Sequence, residues 1–490
     1  MWAATVAVVL VAASGPWIEP SRGEVFVEQG DSDRPPGPER KVHGAARLGA
    51  YFGSVVEDPM AFVEPGVDLD LRAVAPVQIS LGTAFRLRMV DRSPQQSGVL
   101  RRRDWDEVGD YFSVIQRVQY ADSDAAGDTG VWSVDLRAGR LGRMQLGHGS
   151  IVRGYNNGLD IDRPRAGLDT VARVDGVLLD QPASVEGAVV IGDIAMSQIL
   201  GARVGGRWAG AGLGITAVGD PTAPHEISRD ATDPTALLAA RRGQLATTGR
   251  RGVAALGLDL SYEATDGWRY VVLPYLDLNW LPNLGQGAHL GLDAEGAVGR
   301  RRQVHLGGVV EMTGGSSGYD PAYFDVFYLG QRWQAPTAGT PSSRPTGLGS
   351  ERVPKYAWVQ DQDLGGVGAY GALRFAHDDG GFVETGYQYR PGPLGHTWDL
   401  RGGVELRRVQ ISLLVAHRGR QHGFEFTPAG SVARLDVNVV ALRYLEVGGS
   451  VGWLHAIRPD APGQTTAVGS TALVTGAGLL RFGITGRIPW

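Results

Sequence analysis

The last twelve residues, Leu479 to Trp490, fall into two registers. Leu480, Phe482, Ile484, Gly486, Ile488 and Trp490 share one; Arg481, Gly483, Thr485, Arg487 and Pro489 share the other. Period-two patterning of this kind puts an apolar row and a polar or small row on opposite faces of a strand. One such segment is not specific, but the pattern recurs from Ala46 onward with little helical periodicity. Ile79 to Val90 sets Ile79, Leu81, Phe85, Leu87 and Met89 against Ser80, Gly82, Arg86 and Arg88. Phe112 to Tyr120 and Trp132 to Arg137 continue it, with Arg117, Asp135 and Arg137 on the polar side. Leu256, Leu258, Leu260 and Tyr262 oppose Gly257, Asp259, Ser261 and Glu263. Leu290, Leu292 and Ala294 oppose Gly291, Asp293 and Glu295; Val304, Leu306, Val310 and Met312 oppose His305, Gly307 and Glu311. Further strands are expected at Val367 to Phe375, Val383 to Tyr389, Trp398 to Leu406, Val409 to Val415 and Ala433 to Ala441. They carry Arg374, Asp399, Arg401, Glu405 and Arg434 on their polar faces.

A 490-residue chain patterned this way has few architectures open to it. No apolar run reaches the ~18 residues that a helical membrane span needs, and mean hydropathy is −0.11. The 72 glycines lack the three-residue period of collagen and suit strands and tight turns. A soluble sandwich would alternate as well, but three features favour a barrel. The strands number roughly 18–22 at the ~10 residues of a spanning strand. Aromatics stand near strand ends, as interfacial girdles require: Trp268, Trp280, Tyr387, Tyr389, Trp398, Tyr444, Trp453 and Trp490. Connections alternate in length. Short ones lie near Asp266-Gly267, a hairpin signal, and at Gly299 to Arg302, Asp378 to Gly381, Arg407-Arg408 and Tyr444 to Glu446. Long ones lie at Gly219 to Gly252, Thr313 to Gly365, Arg418 to Gly430 and Arg458 to Thr466.

With that pattern behind it, the C-terminal strand resembles the closing strand of bacterial outer-membrane β-barrels. The resemblance implies that Phe482, Ile484, Ile488 and Trp490 form a signal read by the barrel-assembly machinery, and that Trp490 sits at the periplasmic rim. Long connections then face outward and short ones face the periplasm. Counting strands from the Asp266-Gly267 turn, the segment after the loop Arg458 to Thr466 must run toward the periplasm, which makes about Ser470 to Trp490 one long strand. In the first third, Gln95 to Glu107 and Asp122 to Gly130 cannot both be external. The segment Gly142 to Asn157 (GRMQLGHGSIVRGYNN), followed by Gly167 to Val174, resembles a recurring stretch of large, uncharacterised Gram-negative outer-membrane proteins, to which no activity attaches.

Residues 1–15 read as a signal peptide. Ala3 to Ala13 is an apolar core too short to span, followed by small residues, although no Lys or Arg precedes it. Residues 16–44 read as a flexible periplasmic leader, with four prolines between Glu19 and Arg40. Residues 45–490 are the expected barrel. Thr232-Asp233-Pro234 followed by Thr235 to Leu245 predicts a short helix within the loop Asp220 to Arg251. The loop Gly314 to Leu364 holds an aromatic piece, Tyr319 to Trp333, that either folds into the barrel mouth or forms an exposed flap.

The chain has no cysteine, which excludes thiolate metal sites, disulfides and thiol catalysis. A formal net charge of −5 gives no indication of a nucleic-acid partner. The ten histidines show no H-E-x-x-H or close ligand pair, so no metal and no cofactor is expected. Asp160 and Asp162 with Asn156 and Asn157 lack the Gly and closing Glu of a calcium loop and read as an Asx-rich turn. His148 and Ser150, without a G-x-S-x-G elbow around them, are the only catalytic candidates. What remains is the charged face of the strands. Arg86, Arg88, Arg117, Asp135, Arg137, Asp259, Asp293, Glu295, Glu311, Arg374, Asp399, Arg401, Glu405 and Arg434 are pore-lining candidates. A charge facing lipid near the midplane would cost ~2–4 kcal/mol.

The expected fold is all-β: a transmembrane antiparallel up-and-down β-barrel of roughly 18–22 strands with long extracellular loops, in the cell outer membrane. The favoured function is a porin or channel for small polar solutes, because many strands enclose an aqueous lumen unless loops fill it. Outer-membrane lipids, the barrel-assembly machinery and small polar solutes are the expected partners. The alternative is an outer-membrane anchor or interaction scaffold whose long external loops bind a partner. An outer-membrane hydrolase ranks below both.

Overall fold

The structure, a computed structural model, describes residues 43–489 apart from 56–57, 72–73, 90–98, 102–103, 106–107, 126–130, 160–164, 228–235, 239–246, 251, 266–269, 299–303, 333–353, 378–379, 393–394, 407, 421–430, 443, 458–464 and 468–473. The expected signal peptide, nearly all of the leader, the Asp266-Gly267 turn, Asp160, Asp162 and Trp490 lie outside the described residues.

Alternation becomes a closed sheet. Twenty-two segments join edge to edge. Val77–Gly82 and Phe85–Arg88 both pair with Asp58–Asp70, and Val253–Tyr262 and Ala264–Thr265 both pair with Tyr270–Leu281. Each of these two pairs is one strand with an interruption, so the barrel has twenty strands. Closure is made by His43–Val55, which pairs with Asp58–Asp70 on one edge and with Val474–Pro489 on the other. Ala45 stands opposite Pro489 and Val55 opposite Leu479. The seam is tight: a Cβ at Gly483 would stand 2.1 Å from the Ala50 carbonyl oxygen. The Tyr51 hydroxyl also hydrogen-bonds Thr485 across the seam. Among the described residues no helix is long and apolar enough to cross a membrane.

The faces sort by polarity in the sense opposite to a soluble protein. Leu256, Leu258 and Leu260 are exposed, while Asp259 between them is 5% exposed. Leu290 and Leu292 point out, and His289 and Glu311 are buried. On the last strand Phe482 is 64% exposed, Leu480, Ile484 and Ile488 are exposed with it, and Thr485 is buried. Exposed aromatics stand near strand ends at Trp208, Tyr262, Tyr270, Trp280 and Tyr444. A closed antiparallel barrel with an apolar exterior leaves no lipid-facing backbone group unpaired, and it spans a membrane for that reason.

The two rims differ. At the rim holding His43 and Pro489 the connections run from two residues, at 179–180 and 209–210, to six, at 71–76. The opposite rim carries the connections 89–114, 140–166, 221–252, 316–365, 421–430 and 458–473, and four short ones at 56–57, 194–197, 282–284 and 391–394. An even strand count, both ends at the short-turn rim and long loops opposite are the construction of a bacterial outer-membrane barrel, so the short-turn rim is periplasmic. The first third now resolves. Ile115–Ala125 runs downward against Val77–Gly82, so Arg88 and Ile115 end at the outer rim and Ala125 and Val131 at the periplasmic one.

Several local expectations fail for physical reasons. Ile79 to Val90 is interrupted at Thr83 and Ala84, and Phe112 ends a helix, Val108–Phe112, before the strand begins at Ile115. The helix expected over Thr235 to Leu245 is not formed where it is described: Ala236–Leu238 is a strand paired with Thr465–Ala467. Cross-loop pairing overrides the local propensity there. The single long closing strand is present as Val474–Pro489.

Leu258→Arg should cost about 2–4 kcal/mol, the penalty for an arginine facing lipid near the midplane. Urea unfolding of vesicle-inserted protein measures it; a cost near zero would place this face away from lipid.

Candidate functional site

Two external connections turn inward. The first leaves Val131–Gly139 and is gathered by one buried side chain. Asn157 accepts the Leu141 backbone N–H at 2.7 Å and donates to the carbonyls of Gly139 and Gly192 at 3.1 and 3.2 Å. Met144 and Tyr155 bridge as a short antiparallel pair. Leu146, Ile151, Val152 and Tyr155 then pack on the wall residues Val190, Ile199, Val218 and Ala255.

The second connection is laid on the first. Phe324–Asp325 pairs in parallel with Val152–Arg153. Tyr323, Phe324 and Tyr328 form a buried aromatic cluster with ring centroids 4.9 to 5.8 Å apart. Helix Lys355–Asp361 buries Tyr356, Trp358 and Val359 against the same core. The loop expected over Gly314 to Leu364 therefore folds inward wherever it is described. On the far side Leu159, Val326 and Phe327 meet Ala416 and Val432. Inserted material thus reaches from the strand Gln181–Asp193 to the strand Ser431–Leu442.

Four carboxylates hold this material. Asp320 is fully buried, with Lys355 Nζ at 2.9 Å, Arg390 Nη1 at 2.9 Å and Arg418 Nη2 at 3.3 Å. Asp325 shares two of those cations, Arg418 at 2.9 Å and Arg390 at 3.5 Å. Asp220, at the end of Ala211–Asp220, receives Arg332 Nε at 2.6 Å and the Tyr328 hydroxyl at 2.9 Å. Glu311 accepts Arg153 Nη2 at 2.8 and 3.0 Å and the Tyr275 hydroxyl at 2.7 Å, with His289 Nδ1 3.0 Å away. Burial works against the Asp320 carboxylate, but Lys355, Arg390 and Arg418 outweigh it and hold its pKa well below the usual range. Burial pushes Lys355 the other way, down to about 8, against the pull of Asp320. The two shifts agree physically, because one carboxylate faces three cations while three cations divide two carboxylates.

The pore-lining candidates fall into several settings. Asp399 and Arg401, 3.6 Å apart, line one cleft with Arg143, Arg153 and Glu384, and Glu311 adjoins it through Arg153. Asp259 pairs with Arg203 at 2.7 Å, Asp135 with Arg137 at 2.5 Å, and Arg434 with Asp436 at 2.8 Å. Arg86 pairs with Asp104 of an external connection at 3.2 Å. Arg117 donates to Gln119. Arg88, Asp293, Glu295 and Arg374 are half-buried. Glu405 is exposed near the periplasmic rim, where it accepts from Gln410 at 2.7 Å.

Periodicity did not single out Arg143, Arg153, Asp320, Asp325 and Lys355 of the inserted segments, nor Asp220, Arg390 and Arg418 on the strands that meet them. Arg143 and Arg153 do lie in the stretch Gly142 to Asn157. His148 and Ser150 are not hydrogen-bonded to each other. His148 Nδ1 stands 2.8 Å from Asp277 Oδ1 with its ring stacked on Tyr275, and the Ser150 hydroxyl donates to Asn279 at 3.5 Å. Among the described residues no group of three His, Cys, Asp or Glu side chains is placed to hold a metal ion.

No family model and no curated protein matches the chain. Solved structures do match in overall shape. The ferric enterobactin receptor PfeA of Pseudomonas aeruginosa, in complex with enterobactin, matches at 8% identity over 91% of this chain and 81% of that one, with a TM-score of 0.31. The outer membrane protein OpdK of the same organism matches at 9% identity over 92% and 99%, TM-score 0.32. A Rhodopseudomonas blastica porin matches at 8% identity over 91% and 99%, TM-score 0.27. Likenesses at TM-scores near 0.3 carry no weight, and the barrel rests on this chain's own ladder.

Asp320→Asn leaves three buried cations short of a carboxylate and should cost the inserted loop about 3–5 kcal/mol. The barrel, which closes through other residues, should stay folded while single-channel conductance rises; unchanged conductance would mean that the loop does not depend on Asp320. With pH the two terms run the same way, each favouring the folded loop more as pH rises through its own window. The Asp320 contribution is complete above its unfolded pKa and is lost only in strongly acidic solution, as pH falls through the lowered folded value. Between about 8 and the ordinary lysine range the folded Lys355 has released a proton that the unfolded loop still binds. Its term therefore favours the folded loop increasingly as pH rises through that window. Loop-release temperature measured against pH checks both signs.

Proposed function

We propose that the protein is an outer-membrane channel that passes small polar solutes along the closure-seam side of a part-filled lumen. One contrast carries the reading. Near the seam Arg47 pairs with Asp68 at 2.6 Å and donates to Ser80 and Gln116, each at 3.0 Å, and the Arg47 and Asp68 side chains keep 26% and 29% exposure. On the inserted side Glu311, Asp320, Arg390 and Arg418 keep 1% or less. Water therefore reaches the charges of the seam side, while loops cover the charges around Glu311 and Asp320. Mixed charges along a wet wall give a path to small polar solutes of either sign. The pore-lining set on this reading is the seam-side group, with Arg117, Asp135 and Arg137 continuing it along adjacent strands. Inward folding also takes the aromatic piece of the longest loop away from the outer surface, which counts against a partner-binding scaffold.

The chain's lack of cysteine makes a clean test possible in planar bilayers. The unmodified protein should pass current. A cationic thiol reagent should cut the conductance of Ser80→Cys and leave Asn279→Cys unchanged, since Asn279 is buried among the inserted segments. A folded barrel that never passes current sinks the channel; block at Asn279→Cys alone moves the path to the other side.

A further inference from the structure

The connection 89–114 leaves the outer rim at Arg88 and returns at Ile115, and its described part continues the wall. Phe85–Arg88 is paired along one edge with Asp58–Asp70. Along the other edge the ladder to Ile115–Ala125 ends at Leu81, which stands opposite Ile115. Beyond that point the connection itself takes the edge. Leu100 bridges Leu87 in antiparallel sense, the Arg88 N–H donates to the Val99 carbonyl at 2.8 Å, and the Arg101 N–H donates to the Arg86 carbonyl at 3.0 Å.

The connection also keeps the two faces of the wall. Arg86 is buried on the inner face, and there the Asp104 carboxylate takes Arg86 at 3.2 Å and Arg101 at 3.1 Å. Trp105 turns to the opposite face. Its ring stacks on Phe85 with centroids 5.3 Å apart, and Tyr111 meets it edge-on at 5.8 Å. Phe85 alternates with Arg86, so this aromatic group lies on the side of the strand that carries the apolar exterior. Val108 and Tyr111, one turn apart on the helix Val108–Phe112, are 68% and 59% exposed, and Met89 and Leu100 are exposed as well. Exposed apolar side chains gathered in this way call for a partner other than water.

The backbone suits such a partner. The Asp110 carbonyl accepts the Ser113 hydroxyl at 2.5 Å and the Ser113 N–H at 3.1 Å. The Trp105 carbonyl accepts the Tyr111 hydroxyl at 3.2 Å. The Val114 N–H donates to the Tyr111 carbonyl at 3.3 Å, and the Val114 carbonyl accepts the Gly82 N–H at 2.9 Å. Water would satisfy these groups in a loop standing clear of the membrane; against acyl chains they need partners within the protein.

We propose that the connection 89–114 docks on the outer leaflet, with the helix Val108–Phe112 lying where the acyl chains meet the headgroups. Its partner is the lipid itself, at the upper end of the acyl layer. The patch is continuous with the lipid-facing exterior through Phe85 and Leu87. Tyrosine and tryptophan beside aliphatic side chains are the composition that this depth favours, and a short amphipathic turn lies flat there. The docking does not depend on whether the lumen conducts.

The chain has no cysteine, so Val108→Cys, Leu290→Cys and Glu405→Cys of the full-length protein can each carry a single bimane label. Leu290, exposed on the apolar exterior, is the lipid reference, and Glu405, exposed near the periplasmic rim, is the water reference. Heat-modifiable gel migration confirms that each labelled variant is a folded barrel before it enters phosphatidylcholine vesicles. A nitroxide on the lipid acyl chain, close to the headgroup, should quench the Val108 label at least about threefold more than the Glu405 label, as it does the Leu290 label. Iodide on both sides of the bilayer should do the reverse. The docking is overturned if iodide quenches the Val108 label as fully as the Glu405 label, which would put the connection in water. It is overturned as well if neither quencher reaches Val108; a disulfide dimer of the oxidised, unlabelled Val108→Cys protein would then identify a second copy of the chain as the occupant.

Discussion

In the apolar layer of a membrane every backbone N–H and C=O must find a partner within the protein. For this chain that requirement is completed at one place, the ladder between His43–Val55 and Val474–Pro489. Without it the sheet would present two open edges to lipid. With it, each strand has neighbours on both sides, and period-two alternation assigns every second side chain to lipid and the rest to the interior. Gly483, pressed against the Ala50 carbonyl, and the Tyr51–Thr485 hydrogen bond show how closely the two chain ends are fitted.

Closure has an electrostatic consequence. Twenty strands enclose a wide interior, and once loops enter it, acids on the inner face lose water. A buried carboxylate is tolerated only when cations and donors replace that hydration. Glu311, Asp320 and Asp220 are each met by at least one cation and by phenol, lysine or guanidinium hydrogen atoms. These contacts join segments far apart in the chain: Arg153 and Glu311 are separated by 158 positions. The ionic contacts fix where the loops sit, and the packing of Tyr155, Phe324 and Trp358 supplies the apolar burial that holds them there.

The strand framework was readable from residue order because its signal is local. Leu256, Leu258 and Leu260 point out and Asp259 points in, as their spacing requires. Loop length likewise revealed the two rims, and the closing strand had to be long to bring its end to the periplasmic side. The inserted segments were not readable in that way. Arg153, Asp320 and Lys355 sit in stretches without a period, and what places them is pairing with distant partners. Local signals misled where tertiary pairing won. The N-cap and proline before Thr235 promise a helix, yet Ala236–Leu238 pairs with Thr465–Ala467. Glu405 shares the parity of Asp399 and Arg401 but stands near the periplasmic rim, because parity reports the face and not the depth.

Amide hydrogen exchange of the folded protein tests most directly whether the two connections lie inside the barrel. The amides of Met144, Ala322 and Phe324 donate to Tyr155, Ser150 and Ile151 at 2.7, 2.9 and 3.1 Å within the inserted core. They should exchange as slowly as those of the barrel strand Gly285–Val298. Exchange within seconds, as from solvent-facing loops, would place both segments outside the lumen and contradict a part-filled barrel.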